Sequence, residues 1–428
     1  MAEPTVESPG GDLASADRPA TYGEVFEVSE YRAVFAAAGL SWIGDYFAKV
    51  AITVLIFHDT GSVLLSAAGF AASYLPWVAG GPVLAALAER YPYRRVMVTC
   101  DVVRALLVAM MALPGLPLPV LLLLMLTSSL LTPPFEAARS ALVSQLLTGD
   151  RYVVGVSLQN VILQTAQVAG YAVGGVLTAL DAHGALLINA ATFGASALLL
   201  WCGVRPRPRA TSSAHRRSLL KDTGEGVRLV FGHPVMRPIA VLVFCVVATV
   251  VVPEGLAAAW SDEVGGGSRT TGLLMAAIPI GNIAGAVIVR LTRPERRLTL
   301  IKPMLLACPL LLVPALAGPP SAVVFVLMVA AGVANTVILP LNGLFVKVVP
   351  DGFRVRIFAV MQGGVQIANA TAVLAGGALA EFFPVPIVVG VCSLCGLVVT
   401  VAALRTWPAD SMRRASLKPW EDVRGDSE

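Results

Sequence analysis

The chain has 428 residues, of which 56% are hydrophobic and 14% charged, and its mean hydropathy is +0.77. This apolar share exceeds that of soluble globular proteins, so the composition excludes that class and indicates a protein that lies mainly in lipid. The formal net charge of +4 is spread over short loops and is not clustered on one polar face, which excludes a nucleic-acid-binding domain.

Residues 1–33 are rich in Glu, Asp, Pro, Gly and Ser. They contain neither the basic segment nor the apolar core of a signal peptide, so we expect a disordered tail. Twelve apolar windows follow, each about as long as a helix that crosses a bilayer. These windows cover residues 34–58, 64–88, 96–114, 118–142, 156–180, 184–204, 238–260, 271–291, 299–317, 321–346, 357–381 and 385–405.

The twelve windows form two groups of six. We expect a six-helix bundle over residues 34–204 and a second over 238–405, joined by a polar linker at 205–237 and followed by a tail at 406–428. The expected fold class is an all-α, multi-pass integral membrane protein with twelve transmembrane helices in two pseudo-symmetric halves.

Lysine and arginine fall mainly on one side of this arrangement. Of the 31 basic residues, we assign only Lys49 and Arg104 to span interiors and only Arg269 to the other side. Cytoplasmic loops of membrane proteins carry the excess of Lys and Arg. Both termini and the linker are therefore expected on the cytoplasmic side of the cell membrane.

An internal repeat supports the two halves. A shift of 202 residues superimposes polar and glycine positions from two separate regions, one a loop and one a helix. Halves related by an axis along the membrane normal are the arrangement described for major facilitator transporters. The shift places Pro92, Arg94, Arg95, Asn160, Gln164, Gln167, Gly174 and Gly175 on Pro294, Arg296, Arg297, Gln362, Gln366, Asn369, Gly376 and Gly377.

The sequence contains no nucleophile paired with a base, no HExxH and no P-loop. We therefore expect no enzyme activity, no cofactor and no metal. The six cysteines lie in or at the ends of apolar windows and are typical of buried hydrophobic residues; Cys392 and Cys395 form a CxxC without a second pair.

The sequence resembles the major facilitator superfamily over residues 34–405, and its loop after the second span carries a degenerate form of the family motif. The acid, the first arginine and the closing basic residues of that motif are present, whereas both glycines are replaced. The matching positions are Ala85, Glu89, Arg90, Pro92, Arg94 and Arg95.

Four further segments are similar to the drug and siderophore exporter branch, which includes enterobactin and macrolide efflux proteins. They are "IGDYFAKVA" in span one, "CDVVRALL" in span three, "PPFEAARSALV" in span four and "GYAVGG" in span five. In the last segment Tyr171 stands where the antiporter motif usually has proline. The resemblance implies a proton-driven antiporter for efflux, as in multidrug resistance, that binds a small molecule and protons in the lipid bilayer. The sequence does not determine the oligomeric state, for which a monomer is our expectation.

Three ionisable residues are candidates for proton coupling. Asp45 lies inside span one with Lys49 one turn later on the same face, and Glu254 lies near the end of span seven. Ionisable groups inside a membrane are costly unless paired, hydrated or facing a cavity. For Asp45 and Lys49 a structural ion pair is the alternative, and for Glu254 a position at the water interface.

Neutral amides form the predicted wall of a substrate cavity. In span five the polar side chains step by four, three and four residues and so share a helix face, and span eleven repeats the pattern. Such amides either join neighbouring helices or line a water-filled path, and we favour the path. The wall comprises Asn160, Gln164, Gln167 and Tyr171, then Gln362, Gln366 and Asn369, with Asn282 and Asn335 as further members.

A cytoplasmic gate is expected around the loop that follows span two. There the resemblance gives Glu89 and Arg90 a gating role, and Asp101 is the obvious partner for a buried Arg104. For Arg94 and Arg95 the alternative is a purely topological role.

We therefore expect a proton-coupled antiporter that exports a small hydrophobic or amphipathic compound. A facilitator or lysolipid-type transporter of the same fold, without proton exchange, is the alternative.

Overall fold

The computed structural model describes residues 21–79, 91–207, 219–233, 235–349 and 354–405. Within these ranges the chain is helical and contains no strand. Ten of the described segments are long and apolar enough to cross a membrane. Of the twelve predicted spans, the second is described only as far as residue 79, and the third, Tyr93–Met111, contains four charged side chains and lies outside that set of ten.

The N-terminal half contains the first six predicted spans in order. Its helices are α1 (Tyr22–Phe26), α2 (Ser29–Thr60), α3 (Val63–Ala72), α4 (Leu75–Ala79), α5 (Tyr93–Met111), α6 (Leu118–Leu130), α7 (Thr132–Leu146), α8 (Asp150–Leu180) and α9 (Ala182–Gly203). The linker contributes α10 (Leu219–Gly232).

The C-terminal half repeats this order. Its helices are α11 (Met236–Gly255), α12 (Ala257–Glu263), α13 (Gly267–Leu291), α14 (Pro294–Leu310), a 3-10 turn (Val313–Ala317), α15 (Ser321–Asn335), α16 (Ile338–Val348), α17 (Arg354–Ala380) and α18 (Val385–Arg405).

Several predicted spans are broken helices, and proline lies near the breaks. Pro133 and Pro134 open α7 directly after α6 ends, and Pro253 precedes the break between α11 and α12. A proline has no backbone N–H to donate and crowds the preceding turn, so a helix tends to bend or restart there.

The first helix starts earlier than the sequence suggested. The disordered tail was expected to reach residue 33, but α1 and the first turn of α2 lie within it. Val25 and Tyr31 are fully buried in the N-terminal half, and Arg207 donates a 2.6 Å hydrogen bond to Glu30. These contacts order the segment from Tyr22 onward despite the polar composition that precedes it.

The two halves meet at the face opposite the linker. Successive spans run in opposite directions, so α8 and α17 end at this face while α3 and α13 begin there. A Cβ atom on Gly175 of α8 would lie 2.7 Å from the Gly272 Cα atom of α13. A Cβ atom on Gly377 of α17 would lie 2.6 Å from the Ala67 Cβ atom of α3. Small residues therefore let the helices of opposite halves touch. We call this face the closed face and the other one the linker face.

A polar contact adds to the closed face. The Glu381 carboxylate, just after α17, accepts hydrogen bonds from the Ser62 hydroxyl (2.6 Å) and the Leu64 amide (2.8 Å). It thus satisfies a free amide at the start of α3 in the other half.

Candidate functional site

A cavity of about 580 Å³ lies between the two halves, with lining residues from both. It includes nearly all the residues expected to couple protons or contact substrate. Those on the wall are Asp45, Lys49, Asn160, Gln167, Tyr171, Glu254, Asn282, Asn335, Gln362, Gln366 and Asn369.

Gln164 is not part of the lining. Leu163, one residue earlier, takes the place on the wall between Asn160 and Gln167. Neighbouring residues in an α-helix point about 100° apart, and at this position Leu163 lies on the wall while Gln164 does not. The expected polar stripe of α8 is therefore interrupted by an apolar side chain.

The cavity reaches toward the linker face. Tyr152 and Val156, in the first two turns of α8, line it, and α8 begins at the linker face. At the other end of the same helix, the contact between Gly175 and Gly272 closes the space between the halves. The cavity is thus bounded at the closed face and extends along α8 to the opposite one.

Asp45 has an ion-pair partner that its sequence neighbourhood did not reveal. Its Oδ2 atom lies 3.7 Å from the Arg104 guanidinium of α5, and its side chain remains 28% exposed. The alternative interpretation of the sequence paired Asp45 with Lys49, one turn away on the same helix. The structure instead places a buried cation of another helix beside Asp45, while leaving part of the carboxylate open to the cavity.

The Lys49 ammonium lies among three aromatic rings, which we call the aromatic box. It is 5.0 Å from the Tyr46 ring centroid, 5.5 Å from that of Phe70 and 5.0 Å from that of Tyr74. A cation within about 6 Å of a ring centroid is attracted by the negative face of the π-system. The box therefore stabilises a positive charge inside the cavity.

Glu254 brings an acid from the C-terminal half to the same place. It is 6% exposed, and it interacts electrostatically with Lys49 and by a hydrogen bond with the Tyr171 hydroxyl. The alternative position at the water interface does not apply in this conformation, since Glu254 lines the cavity. Lys49 is thus shared between the two halves.

The predicted gate pair lies inside one half. Asp101 and Arg104 are both fully buried, with 3.6 Å between the carboxylate and the guanidinium. Ser196 of α9 donates a 2.6 Å hydrogen bond to Asp101, and Ser41 of α2 donates one of 3.2 Å. The pair joins three helices of the N-terminal half, and its polar contacts among the described residues all lie within that half. Burial of both charges requires such nearby partners.

The other gate candidates differ in what they contact. Arg94 donates to the Trp201 backbone carbonyl and stacks over the Trp201 ring at 4.6 Å, again within the N-terminal half. Arg95 is exposed. Glu89 and Arg90 lie outside the described residues.

The cavity wall carries a second charged cluster that was not predicted from the sequence. Glu136 of α7 accepts hydrogen bonds from Trp42 (2.8 Å) and Arg139 (3.1 Å), and Arg139 also donates to Gln159 of α8. The Arg139 guanidinium lies 4.8 Å from the Trp42 ring centroid. Opposite charges three residues apart inside an apolar window were the available signal. Arg139 is therefore a wall residue.

Asn282 and Asn335 contact each other on the wall. The Asn335 amide donates a 3.0 Å hydrogen bond to the Asn282 side-chain oxygen and so joins α13 to α15. Of the two uses expected for neutral amides, this pair serves both, because it connects helices and lines the cavity. Among the described residues, no group of three or more His, Cys, Asp or Glu is placed to hold a metal ion.

Comparison with known proteins identifies the family of this two-half architecture. The sequence profile of the Major Facilitator Superfamily matches residues 34–350. The chain is 24% identical over 375 residues to the uncharacterized MFS-type transporter YfiS of Bacillus subtilis (strain 168). This match covers 84% of the chain and 88% of YfiS.

Solved structures show the same fold. The nucleoside transporter NupG is 14% identical and gives a TM-score of 0.68 over 88% of this chain and 99% of its own. The inward-open xylose transporter XylE from E. coli is 13% identical and gives a TM-score of 0.66 over 90% of this chain and 96% of its own. A bacterial homologue of the human lysosomal transporter Spinster, in an inward-facing and unoccupied conformation, is 14% identical. Its TM-score is 0.63 over 91% of this chain and 95% of its own. The chain is a multi-pass membrane transporter of the alternating-access kind, and it belongs to the Major Facilitator Superfamily.

Proposed function

We propose that this transporter is a proton-coupled antiporter that exports a small hydrophobic or amphipathic compound. The observation that supports this most directly is the composition of the cavity centre, where acids from both halves, Asp45 and Glu254, interact electrostatically with Lys49. An ionisable cluster shared by two moving halves can change its protonation when the halves rearrange.

We further propose that the linker face is cytoplasmic. The linker and the loops on that face carry most of the Lys and Arg, as cytoplasmic loops generally do. With this orientation, the cavity faces the cytoplasm and the closed face is the external one. That state is suited to take up a compound from inside the cell before the halves rearrange to release it outside.

Asp45 is the proposed proton carrier. Its carboxylate is partly exposed to the cavity and lies 3.7 Å from the Arg104 guanidinium. Binding a proton removes the negative charge of Asp45 and with it the attraction to Arg104, so protonation weakens the contact between α2 and α5. Lys49 and Glu254 are proposed to complete the coupling group, because Lys49 interacts with both carboxylates.

The amide side chains on the wall favour a substrate whose polar surface is uncharged or weakly charged. Gln362, Gln366 and Asn369 of the C-terminal half face the same space as Asn160 and Gln167 of the N-terminal half. Amides offer both donors and acceptors and accept many ligand shapes. Apolar wall residues, including Met111 and Met125, add an adaptable hydrophobic surface.

Transport of a fluorescent amphipathic dye in proteoliposomes tests this proposal. Wild type, Asp45→Asn and Asp59→Asn are compared with and without a proton gradient. Asp59 is the matched control because it lies on the same helix but is exposed near its end. We expect gradient-driven transport in wild type and in Asp59→Asn, and loss of the gradient response in Asp45→Asn.

Equal transport with and without the gradient in all three proteins would contradict proton coupling. It would instead indicate the facilitator or lysolipid-type alternative, with Asp45 as one member of a structural ion pair.

A further inference from the structure

We propose that the aromatic box of Tyr46, Phe70 and Tyr74 is a binding subsite for the ammonium group of an amphipathic organic cation, and that Lys49 fills it when no substrate is bound. This inference rests on the proposed function in that it names a substrate class for the same cavity.

The box is a built site and not a chance contact of one ring. Its three rings come from two segments, α2 and the region of α3 and α4, and all lie 5.0–5.5 Å from the same Lys49 ammonium. Phe70 is fully buried, while Tyr46 and Tyr74 line the cavity. A cation that enters the cavity can therefore reach ring faces without opening the protein core.

Neighbouring rings hold the box in place. Tyr46 packs edge-to-face against Tyr171 with centroids 5.2 Å apart, and Phe70 packs edge-to-face against Tyr74 at 5.8 Å. Edge-to-face pairs are a preferred geometry and fix ring orientation. The faces directed at Lys49 are thus organised before any ligand arrives.

The charges on the cavity wall leave room for one more cation. Among the residues that the structure describes, three carboxylates and two basic side chains line it: Asp45, Glu136, Glu254, Lys49 and Arg139. Arg139 is engaged by Glu136. Behind the wall, Arg104 lies beside both Asp45 and the buried Asp101. With these two residues included, four carboxylates meet three bases, so an incoming cation finds one acid to balance it.

The chemistry of the box selects a particular kind of cation. Ring faces do not replace the water shell of a small, strongly hydrated ion, whereas alkylated ammonium groups are bound well by clusters of aromatic rings. The apolar and amide wall beyond the box suits the remainder of an amphipathic molecule. Lys49 is attached by a flexible four-carbon stem, and it can leave the box without any backbone movement.

Equilibrium binding of two matched probes to the purified full-length protein tests this inference. One is a dansyl amide that ends in a trimethylammonium group, and the other is its neutral isostere with a tert-butyl group in that place. The proteins are wild type, Lys49→Met, Lys49→Met/Tyr74→Leu and the control Lys302→Met, whose lysine is exposed on α14.

We expect Lys49→Met to bind the trimethylammonium probe at least about fivefold more tightly than wild type, the factor that one cation–π contact typically contributes. The tert-butyl probe reports how each substitution changes apolar contact, so the expected gain is one in the ratio of the two affinities, and its binding also shows that the variants are folded. Lys302→Met should match wild type. Adding Tyr74→Leu should abolish the gain.

Two results would overturn the inference. No tightening in Lys49→Met would mean that the box does not bind the probe, and a gain that survives Tyr74→Leu would mean that only charge repulsion by Lys49 was removed. If Lys49→Met does not fold, Tyr74→Leu alone decides, since it should weaken the cationic probe selectively. Because binding needs no gradient, this result is independent of whether transport proves proton-coupled.

Discussion

Gly272→Ala should open the closed face. A Cβ atom at position 272 would lie 2.5 Å from the Tyr171 carbonyl oxygen and 2.7 Å from the Gly175 Cα atom, and both are backbone atoms that cannot rotate away. Ordinary contact distances require the two helices to separate by about 1 Å. Overpacking of this kind costs about 1–3 kcal/mol, which corresponds to a shift of roughly 5- to 150-fold away from the closed-face conformation.

Distances between spin labels at Thr60 and Phe382 measure this shift, since both residues are exposed at the closed face and belong to opposite halves. In a cysteine-free background, we expect longer distances for Gly272→Ala. Gly194→Ala is the matched control, because a Cβ atom there meets nothing within 4 Å. An unchanged distance distribution in Gly272→Ala, with unchanged thermal stability, would refute the steric argument.

Two further predictions concern charged contacts. The hydrogen bond from Ser62, together with that from the Leu64 amide, lowers the pKa of Glu381 below its ordinary value of 4.5. The contact is therefore fully present above pH 4.5 and is lost as the pH falls through the lowered pKa. Acid should thus lengthen the label distances in wild type but not in Glu381→Gln. Arg104→Met leaves the buried Asp101 carboxylate without the Arg104 guanidinium and should destabilise the protein by about 3–5 kcal/mol, seen as a lower Tm. Arg95→Met, on the same helix but at an exposed position, should leave the Tm unchanged. Equal Tm values for the two variants would argue against the buried pair.

The sequence predicted the order of the helices well, because hydropathy reports directly on contact with lipid. The offset between Gly175 and Gly377 also anticipated a structural equivalence. Each glycine lies at the closed face and contacts a helix of the opposite half, Gly272 in one case and Ala67 in the other. A duplicated sequence thus yields duplicated contacts.

Partners across helices could not be predicted in the same way. Asp45 was matched with Lys49 because helical spacing relates residues of one helix only, whereas its partner Arg104 reaches it from α5. The aromatic box was missed for the same reason, since its rings come together only when α3 packs on α2. One sequence contains no register between helices, and the details of the cavity depend on that register.

The glycine contacts of the closed face bear on how the transporter changes state. Dispersion attraction between touching backbones loses about a quarter to a half of its strength when a gap of about 0.5–1 Å opens. Halves that meet through Gly175 and Gly272 therefore lose a large part of this attraction in a partly opened arrangement. Such an interface favours two distinct conformations over a continuum, so the passage at the closed face should behave as a switch with few intermediate positions.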